Sequence, residues 1–331
     1  MSERTEARPD RIWPAGFPRV PGDDWVTRPP EELARKYDTV REHGWYRNLD
    51  RTVESLRPWL SPGRILLDYS GGTGILAERL LPSLPADTGI LIVDASPKFL
   101  RVAVEKLGAD ERVAFRLLDF LRDERRLETL QEALEPTLLE RGVDVVSSTN
   151  AIHLYYDLDQ TLRSWRALLR PDGRVHVQSG NIGVVDVPDG TWIIDQTVDA
   201  INRAVEELVR SDRRWAAYRG RIGDERYAAL RRRFFLPVRP LEHYLEALER
   251  AGFDVDWVET RIVEASAAEW TAFLETYHEG VLGWVGGSER VEGLPPTEAA
   301  VADRLELLRA GVARIFPEPA FQAVWTYIDA S

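Results

Sequence analysis

One stretch constrains the fold of this chain more than any other. It runs from Ile65 to Leu80 with the sequence ILLDYSGGTGILAERL. Its first three residues form an apolar run that is short enough for one buried strand, and the residues from Ile75 onward place their apolar side chains on one helical face. A strand, a glycine turn and a helix in this order begin the nucleotide site of a doubly wound α/β sheet, because glycine permits a close approach of backbone and ligand. The glycines of the turn are Gly71, Gly72 and Gly74.

Acidic residues follow the first three predicted strands. Asp68 precedes the glycines, where a carboxylate would repel the diphosphate of a dinucleotide and instead suits a cation such as an amino group. The second apolar run, Ile90–Val93, ends in Asp94, at a distance from the glycines that fits an acid binding two ribose hydroxyls. The third predicted strand is followed by Asp119 and Phe120, which suit an adenine amine and its ring face. The sequence therefore predicts a site for an amino-acid nucleoside.

This layout resembles the class I S-adenosylmethionine-dependent methyltransferases, in which the first strand ends in Asp or Glu followed by x-Gly-x-Gly-x-Gly. Asp68, Gly72 and Gly74 match that pattern. Ser70 stands where the family usually has its first glycine, and we expect Gly71 beside it to relax the turn. The resemblance covers about residues 31–180. It implies a doubly wound, mostly parallel seven-stranded sheet, with strands 6 and 7 forming an antiparallel hairpin.

The same resemblance implies a cofactor, S-adenosylmethionine, with S-adenosylhomocysteine as its product. Asp94 and Asp119 match the acids that contact ribose and adenine in the family. A helical segment at the N-terminus covers the cofactor in related enzymes, so Tyr37 is a candidate lid residue, although packing of the helices on the sheet explains it equally well. The predicted cofactor-binding residues are Tyr37, Asp68, Ser70, Gly71, Gly72, Gly74, Asp94, Ala95, Asp119, Phe120, Thr149 and Asn150.

The loop after the fourth predicted strand is expected to face the transferred methyl group, because ligands lie beyond the carboxyl ends of such strands. It contains the candidate catalytic residues His153, Tyr155 and Tyr156. His153 is the best candidate base, since imidazole titrates near working pH. A hydrogen-bonded structural histidine is the alternative, because methyl transfer can rely on positioning alone. We interpret His176, inside the next strand, as structural.

Composition excludes several classes of protein. The chain has 331 residues and a formal net charge of −12, which disfavours a nucleic-acid surface. It has no cysteine, and its five histidines show no H-x-x-x-H spacing, so we predict no metal site. No apolar run approaches the ~20 residues of a membrane span. The charged start, MSERTEARPDR, lacks a hydrophobic signal core, so we expect a cytoplasmic protein without membrane partners.

Alternating strands and helices predict a parallel sheet with added helical segments. We expect helices at about 31–42 and 46–60, one helix within 124–140, and helices over 192–209, 213–235 and 241–251. Ser96 is a candidate N-cap ahead of Pro97. The predicted division of the chain is an N-terminal arm and lid (1–60), a Rossmann-like core (61–180), a cap insertion (181–235), core completion (236–265), a second cap insertion (266–320) and a last strand (321–331).

The two insertions are rich in aromatic residues and suit a wall around an apolar or aromatic acceptor. A second small hydrophobic core or a homodimer surface is the alternative. The second insertion contains Trp270, Phe273 and Tyr277, and the pair His278 and Glu279 is a weaker candidate for orienting a substrate. We interpret the arginines at 231–233 as a solvated helix face.

Three hypotheses follow from these patterns. The first is in-line transfer of a methyl group from S-adenosylmethionine to a small molecule, and the large cap favours a specialised metabolite. The second is a non-methylating binder or a cyclase on the same scaffold, which the departure at Ser70 leaves open. The third, a nicotinamide oxidoreductase, is disfavoured by Asp68 and by the lack of G-x-G-x-x-G.

Overall fold

The computed structural model describes residues 12–331, so the charged start and Pro9 of the predicted arm lie outside the described residues. The main sheet has the strand order β6-β7-β5-β4-β1-β2-β3, with β7 antiparallel to these two neighbours and the other pairs parallel, and a short eighth strand, Thr191–Trp192, pairs parallel with β7. This confirms the predicted doubly wound, mostly parallel sheet. Its strands are β1 (Ile65–Tyr69), β2 (Gly89–Asp94), β3 (Val113–Leu117), β4 (Val143–Thr149), β5 (Leu169–Ser179), β6 (Val255–Ser266) and β7 (Ala320–Ala330).

Helices cover both faces of this sheet and extend beyond its β6–β7 side. The α-helices are α1 (Asp24–Thr27), α2 (Glu32–Asp38), α3 (Asn48–Leu56), α4 (Ile75–Leu80), α5 (Pro97–Leu107), α6 (Leu130–Ala133), α7 (Pro136–Arg141), α8 (Leu158–Leu168), α9 (Gln196–Ser211), α10 (Glu225–Phe234), α11 (Leu241–Arg250), α12 (Ala267–Thr276), α13 (His278–Leu282), α14 (Glu289–Glu292) and α15 (Glu298–Ile315). Short 3-10 turns cover Thr39–Glu42, Gly44–Arg47, Arg57–Trp59, Leu81–Ser83, Ile152–Leu154 and Arg213–Arg221.

Alternation along β1 explains how two layers form around the sheet. Ile65 and Leu67 belong to the core under α8 and α11, whereas Leu66 belongs to the core under α4 and α5. All five residues of β1 are buried, as expected for a parallel strand with helices on both faces. The cores on the two faces therefore fix the position of the β1 carboxyl end, where the glycine turn begins.

The N-terminal arm covers the edge of the sheet at β3. Trp13, Phe17 and Trp25 are buried and anchor the arm on the domain. Trp13 stacks on Phe17 with ring centroids 5.2 Å apart. The backbone N–H of Phe115 in β3 donates to the carbonyl of Arg19 at 2.9 Å. The arm thus satisfies part of an edge that would otherwise be open to pairing with another chain.

Several predicted elements are wrong in their bounds or type. The helix expected within 124–140 is divided into two short helices, α6 and α7, and a small hairpin of Phe120–Leu121 with Arg126–Leu127 precedes them. Ser96 is at the N-cap position of α5, but its side chain makes no capping hydrogen bond. The predicted helices over 31–42 and 46–60 each combine a shorter α-helix with 3-10 turns, and those over 192–209 and 213–235 begin later, as α9 and α10.

The added half of the chain forms a third core with the N-terminal segment. Segments after β5 and between β6 and β7 are mainly helical, and their apolar side chains pack with Trp45 and Tyr46. The indole N–H of Trp284 donates to Asn202 at 2.9 Å, so this tryptophan belongs to the core. His278 accepts from the guanidinium of Arg304, which is fully buried, so the predicted substrate-orienting pair is held by a structural contact.

Of two further side chains, one behaves as predicted. His176 is buried and hydrogen-bonded to Asp329 and Thr52, which confirms the structural interpretation. Arg231 forms an ion pair with the exposed Asp199, and its own side chain is 17% exposed, so it is less solvated than expected. In the described part of the chain, no helix is both long and apolar enough to cross a membrane.

Candidate active site

The glycine turn after β1 contains three left-handed residues. Ser70 has φ +60°, Gly72 has φ +56° and Gly74 has φ +78°. Gly71 has no positive φ, and its role is steric, because a Cβ there would lie 2.7 Å from Asp68 and 2.9 Å from Ile92. The expectation that Gly71 relaxes the turn is therefore wrong. Ser70 itself adopts the conformation that the family usually assigns to glycine, at a cost of ~1–2 kcal/mol.

Asp68, at the end of β1, is fully buried, and neither carboxylate oxygen has a hydrogen-bond partner within the described residues. Burial, together with the charge of Asp94, raises the pKa of Asp68 to about 7. A buried carboxylate without a donor is unfavourable by itself. Its position beside a glycine turn fits a site in which a ligand supplies the missing donor or positive charge.

Asp94, at the end of β2, is held by the backbone. Its two oxygens accept the N–H groups of Gly72 at 2.9 Å and Ser96 at 2.7 Å. Burial nevertheless raises the pKa of Asp94 to about 6, since it outweighs these backbone donors. Each oxygen retains a free lone pair, so the carboxylate can also accept from two hydroxyl groups.

The three strand-end acids do not have equal environments. Register pairs Asp68 with Ile92 and Asp94 with Leu117, so β1, β2 and β3 end side by side. Asp119 follows β3 but is exposed, and its backbone N–H donates to the side chain of Glu128 at 3.0 Å. The structure thus brings Asp68 and Asp94 together in buried positions and leaves Asp119 at the surface of the same edge.

A cavity of about 460 Å³, here called the strand-end cavity, opens at this edge. It brings together the predicted cofactor residues Ser70, Ala95 and Phe120. Ala95 directly follows Asp94, and Ser70 lies two residues after Asp68, so both buried acids lie beside residues that line the cavity. Its remaining lining residues are Tyr69, Leu118, Arg125, Arg126, Leu127, Glu128, Thr129, Leu154, Tyr155, Tyr156, Asp157, Gln160, Thr161 and Ser164.

The two tyrosines that were predicted as catalytic line this strand-end cavity. The hydroxyl group of Tyr155 lies 2.6 Å from that of Ser148, and burial raises the pKa of Tyr155 well above its usual value. Tyr156 is 90% exposed. Neither residue lies among the aromatic side chains of the added half, where an acceptor was expected.

A second cavity of about 250 Å³, here called the aromatic cavity, lies where the N-terminal segment meets the added half. It contains the predicted residues Tyr37, Asn150 and His153, and Leu154 lines both cavities. Thr149 lines neither. The other lining residues are Trp45, Tyr46, Phe99, Gly180, Asn181, Ile194, Asp195, Phe234, Phe235, Trp270, Phe273, Tyr277 and Trp325.

Stacked rings hold the walls of the aromatic cavity. Tyr37 on α2 stacks on Phe99 at 4.8 Å, and Trp270 stacks on Phe273 at 5.0 Å. Trp325 stacks on Trp45 at 6.0 Å, and its N–H donates to the side-chain oxygen of Asn150 at 2.9 Å. That last contact ties the end of β4 to β7 and fixes one polar group in the wall.

His153 is held at both ring nitrogens. Nδ1 lies 3.0 Å from Ser179 Oγ, and Nε2 lies 3.0 Å from the side-chain nitrogen of Asn181. The side-chain oxygen of Asn181 accepts the backbone N–H of Asp195, which turns its amide nitrogen toward the histidine. Nε2 is therefore an acceptor that is already used, and burial lowers the pKa of His153 to about 4. This geometry favours a positioning role over general-base catalysis.

Sequence reasoning missed several residues of the aromatic cavity. Asn181 follows the carboxyl end of β5. Because ligands lie beyond the carboxyl ends of parallel strands, the reasoning used for β1 to β4 also identifies Asn181. Asp195, the N-cap residue of α9, and Phe99 on α5 carry no comparable signal. No cluster of three or more histidine, aspartate or glutamate side chains suited to a metal occurs in residues 12–331.

Residues 67–175 match a family model described as a methyltransferase domain. This part of the chain is therefore similar to methyltransferase domains. The matched segment begins within β1 and ends within β5, so it includes all three strand-end acids and the loop of His153. The aromatic side chains contributed by α10, α12 and β7 lie outside it.

Relatives of the methyltransferase domain occur in larger proteins. This chain is 30% identical over 114 residues to the hybrid PKS-NRPS synthetase apdA of Emericella nidulans. The match covers 34% of this chain and 3% of apdA. The chain is 31% identical over 116 residues to the ubiquinone/menaquinone biosynthesis C-methyltransferase UbiE of Coxiella burnetii, covering 32% of this chain and 44% of UbiE. The matches therefore span less than half of either relative.

Among solved structures, one similar fold is a SAM-dependent methyltransferase from Geobacter sulfurreducens in complex with S-adenosyl-L-homocysteine. The sequences are 17% identical, and the match covers 90% of this chain and 97% of that one with a TM-score of 0.46.

Proposed function

We propose that this protein transfers the methyl group of S-adenosylmethionine to a small-molecule acceptor. The observation that carries the proposal is the buried, unpartnered carboxylate of Asp68 beside Asp94, within the segment that matches a methyltransferase domain. An amino-acid nucleoside supplies a positive amino group, which is the partner that Asp68 lacks, and two ribose hydroxyls, which the remaining lone pairs of Asp94 can accept. The fold and the family match support this assignment over a nicotinamide site.

Each strand end then has a role in holding the cofactor. Asp68 would face the amino group, Asp94 the ribose hydroxyls, and Ala95 and Phe120 the adenine ring. When bound, S-adenosylmethionine would supply a methyl group activated by the positive charge on sulfur. The protein then has to hold the acceptor in line with that methyl group and exclude water.

The aromatic cavity is the proposed acceptor site, with the two helical insertions as its cap. Its volume of about 250 Å³ lies just below the ~300–1,000 Å³ that is usual for drug-sized ligands, which favours a small molecule over a macromolecule. Leu154 lines both cavities, so an acceptor and the cofactor can occupy neighbouring spaces. His153 would orient the polar wall of this site through Ser179 and Asn181.

Calorimetry with S-adenosylhomocysteine tests the cofactor site. We expect micromolar binding, and we expect Asp94→Ala to weaken it at least tenfold, because the ribose hydroxyls lose their acceptor. Asp123→Ala is the matched control, since Asp123 is exposed in the hairpin after β3. Absence of binding by the unmodified protein would refute the proposal.

Incubation with labelled S-adenosylmethionine and a metabolite extract then tests the transfer. A methylated product supports the proposed reaction. Cofactor binding without any methylated product would instead support a non-methylating binder or a cyclase on the same scaffold.

A further inference from the structure

The aromatic cavity has a marked imbalance of charge. Ten of its seventeen lining residues are Phe, Tyr or Trp, whose ring faces attract cations. Asp195 is the one ionisable side chain in the lining that carries a formal charge, because His153 is neutral and neither lysine nor arginine is among the lining residues. An apolar cavity with one carboxylate and many ring faces is suited to a cation and unsuited to an anion.

The partner of the Asp195 carboxylate is a neutral side chain, the amide of Asn181. Asp195 is the N-cap residue of α9, yet its side chain makes no capping hydrogen bond. Its backbone N–H donates to the side-chain oxygen of Asn181 at 2.9 Å, and its carboxylate also hydrogen-bonds the side chain of Asn181. Arg231 on α10 lies across a neighbouring groove but is paired with Asp199, and Arg232 is paired with Glu225. Within residues 12–331, no arginine therefore forms an ion pair with Asp195 within 4 Å.

Burial is the dominant influence on the protonation of Asp195. Burial, with a smaller contribution from the negative charge of Asp199, raises the pKa of Asp195 to about 7, while the side chain of Asn181 opposes the rise. A carboxylate in such surroundings can both attract a cation and accept a proton near neutral pH. His153 is excluded from that role because its Nε2 already accepts from Asn181.

We propose that the acceptor is an amine, held in the aromatic cavity by Asp195 and the surrounding ring faces and methylated at nitrogen. This inference rests on the proposed function. The ammonium form of the acceptor gives one proton to the Asp195 carboxylate, which frees the nitrogen lone pair. That lone pair forms the new N–C bond while the C–S bond of S-adenosylmethionine breaks and its electron pair stays on sulfur. The product leaves as a methylated ammonium, and Asp195 releases its proton to water.

Paired small probes test the substrate class by binding alone. Phenethylamine, tyramine and tryptamine are titrated by calorimetry into the protein saturated with S-adenosylhomocysteine, beside 2-phenylethanol, tyrosol and tryptophol, in which a hydroxyl group replaces the amine. We expect at least one amine to bind tenfold or more tightly than its alcohol. Equal or tighter binding of the alcohols would overturn the proposal.

Substitutions at two acids at the start of α9 show which of them produces the preference for amines over alcohols. Asp195→Asn should abolish the preference for amines, whereas Asp199→Asn, one turn further along the same helix, should retain it. Both variants should bind S-adenosylhomocysteine as the unmodified protein does, which separates failure of this inference from failure of the cofactor assignment. If Asp195→Asn weakens binding of S-adenosylmethionine but not of S-adenosylhomocysteine, Asp195 recognises the positive sulfur and the amine proposal is wrong.

Incubation of the best-binding amine with S-adenosylmethionine completes the test. Mass spectrometry should show one added methyl group, located on nitrogen by fragmentation. Methylation at carbon or oxygen of the same probe would contradict the proposed chemistry.

Discussion

The strand-end cavity and the aromatic cavity are adjacent but are built in opposite ways. The first is lined by a left-handed serine, Ser70, and by residues that adjoin two buried carboxylates, Asp68 and Asp94, whose pKa values are raised by burial. The second is walled by stacked rings with few unsatisfied polar groups. The free protein is therefore destabilised locally at the first site and stabilised at the second. Strain and unpaired charge are concentrated where a ligand would compensate for them.

The largest change in stability should follow from removing an aromatic side chain of the aromatic cavity. Trp325 is 1% exposed and stacks on Trp45. Trp325→Ala should lower the free energy of unfolding by ~3–5 kcal/mol, because it leaves a large void and an unpaired Asn150. Chemical denaturation measures this, with Tyr156→Ala, at a 90% exposed side chain, as a control expected within ~0.5 kcal/mol. A loss below ~1 kcal/mol would show that the rings do not stabilise the fold.

Removing the carboxylate of Asp68 from the strand-end site should stabilise the folded protein. Asp68→Asn should raise the free energy of unfolding at pH 8 by roughly 1–3 kcal/mol, because an uncompensated buried carboxylate is lost. The same variant should bind S-adenosylhomocysteine more weakly, since the amino group loses its counter-charge. If Asp68→Asn is less stable and binds S-adenosylhomocysteine unchanged, the strand-end site does not destabilise the free protein, and the contrast with the aromatic cavity is wrong.

As pH increases, the stability of the protein and its affinity for S-adenosylhomocysteine should change in opposite directions. The pKa of Asp68 rises from 3.8 to about 7 on folding, so between these values the folded protein binds more protons and its stability falls as pH increases. Binding of S-adenosylhomocysteine needs the carboxylate, so its affinity should increase up to tenfold per pH unit on approaching pH 7 from below. Calorimetry between pH 5.5 and 8 measures this, and Asp68→Asn should flatten most of the dependence. An affinity that falls with rising pH would contradict the assignment.

The smallest expected change in stability is at Ser70, in the glycine turn after β1. Ser70 has φ +60°, and Ser70→Gly should raise the free energy of unfolding by ~0.5–1 kcal/mol, because relief of left-handed strain exceeds the added entropy of the unfolded chain. Thermal denaturation detects this shift. Ala95→Gly at the next strand end, with no positive φ, is the control and should be destabilising. A destabilised Ser70→Gly variant would mean that the serine side chain makes a compensating contact.

Local sequence predicted the strand-end region because its signals are local. Asp68 and the glycines lie within seven residues, and the acids mark the ends of strands whose apolar runs are unmistakable. The helix expected within 124–140 was wrong in its extent, because Arg126–Leu127 pairs as a hairpin with Phe120–Leu121 and the helical part is divided into α6 and α7. A hairpin depends on the pairing of two segments, which helical propensity does not report.

The aromatic cavity was only partly predictable. Its walls come from α2, α5, α10, α12 and β7, which are distant in sequence, so no local pattern brings Tyr37, Phe99 and Trp325 together. Trp270, Phe273 and Tyr277 of the second insertion were expected to surround an acceptor and do line this cavity, whereas Trp284 packs in the core. Asp195 gave no signal, because an acid at a helix start is common and its burial depends on tertiary packing.

The most direct test of the account is a crystal structure of the protein with S-adenosylhomocysteine. The account predicts that the ribose hydroxyls contact the carboxylate of Asp94, that the amino group lies on the side of Asp68, and that the sulfur faces the aromatic cavity. A nucleoside bound elsewhere, or one whose ribose has no contact with Asp94, would contradict it.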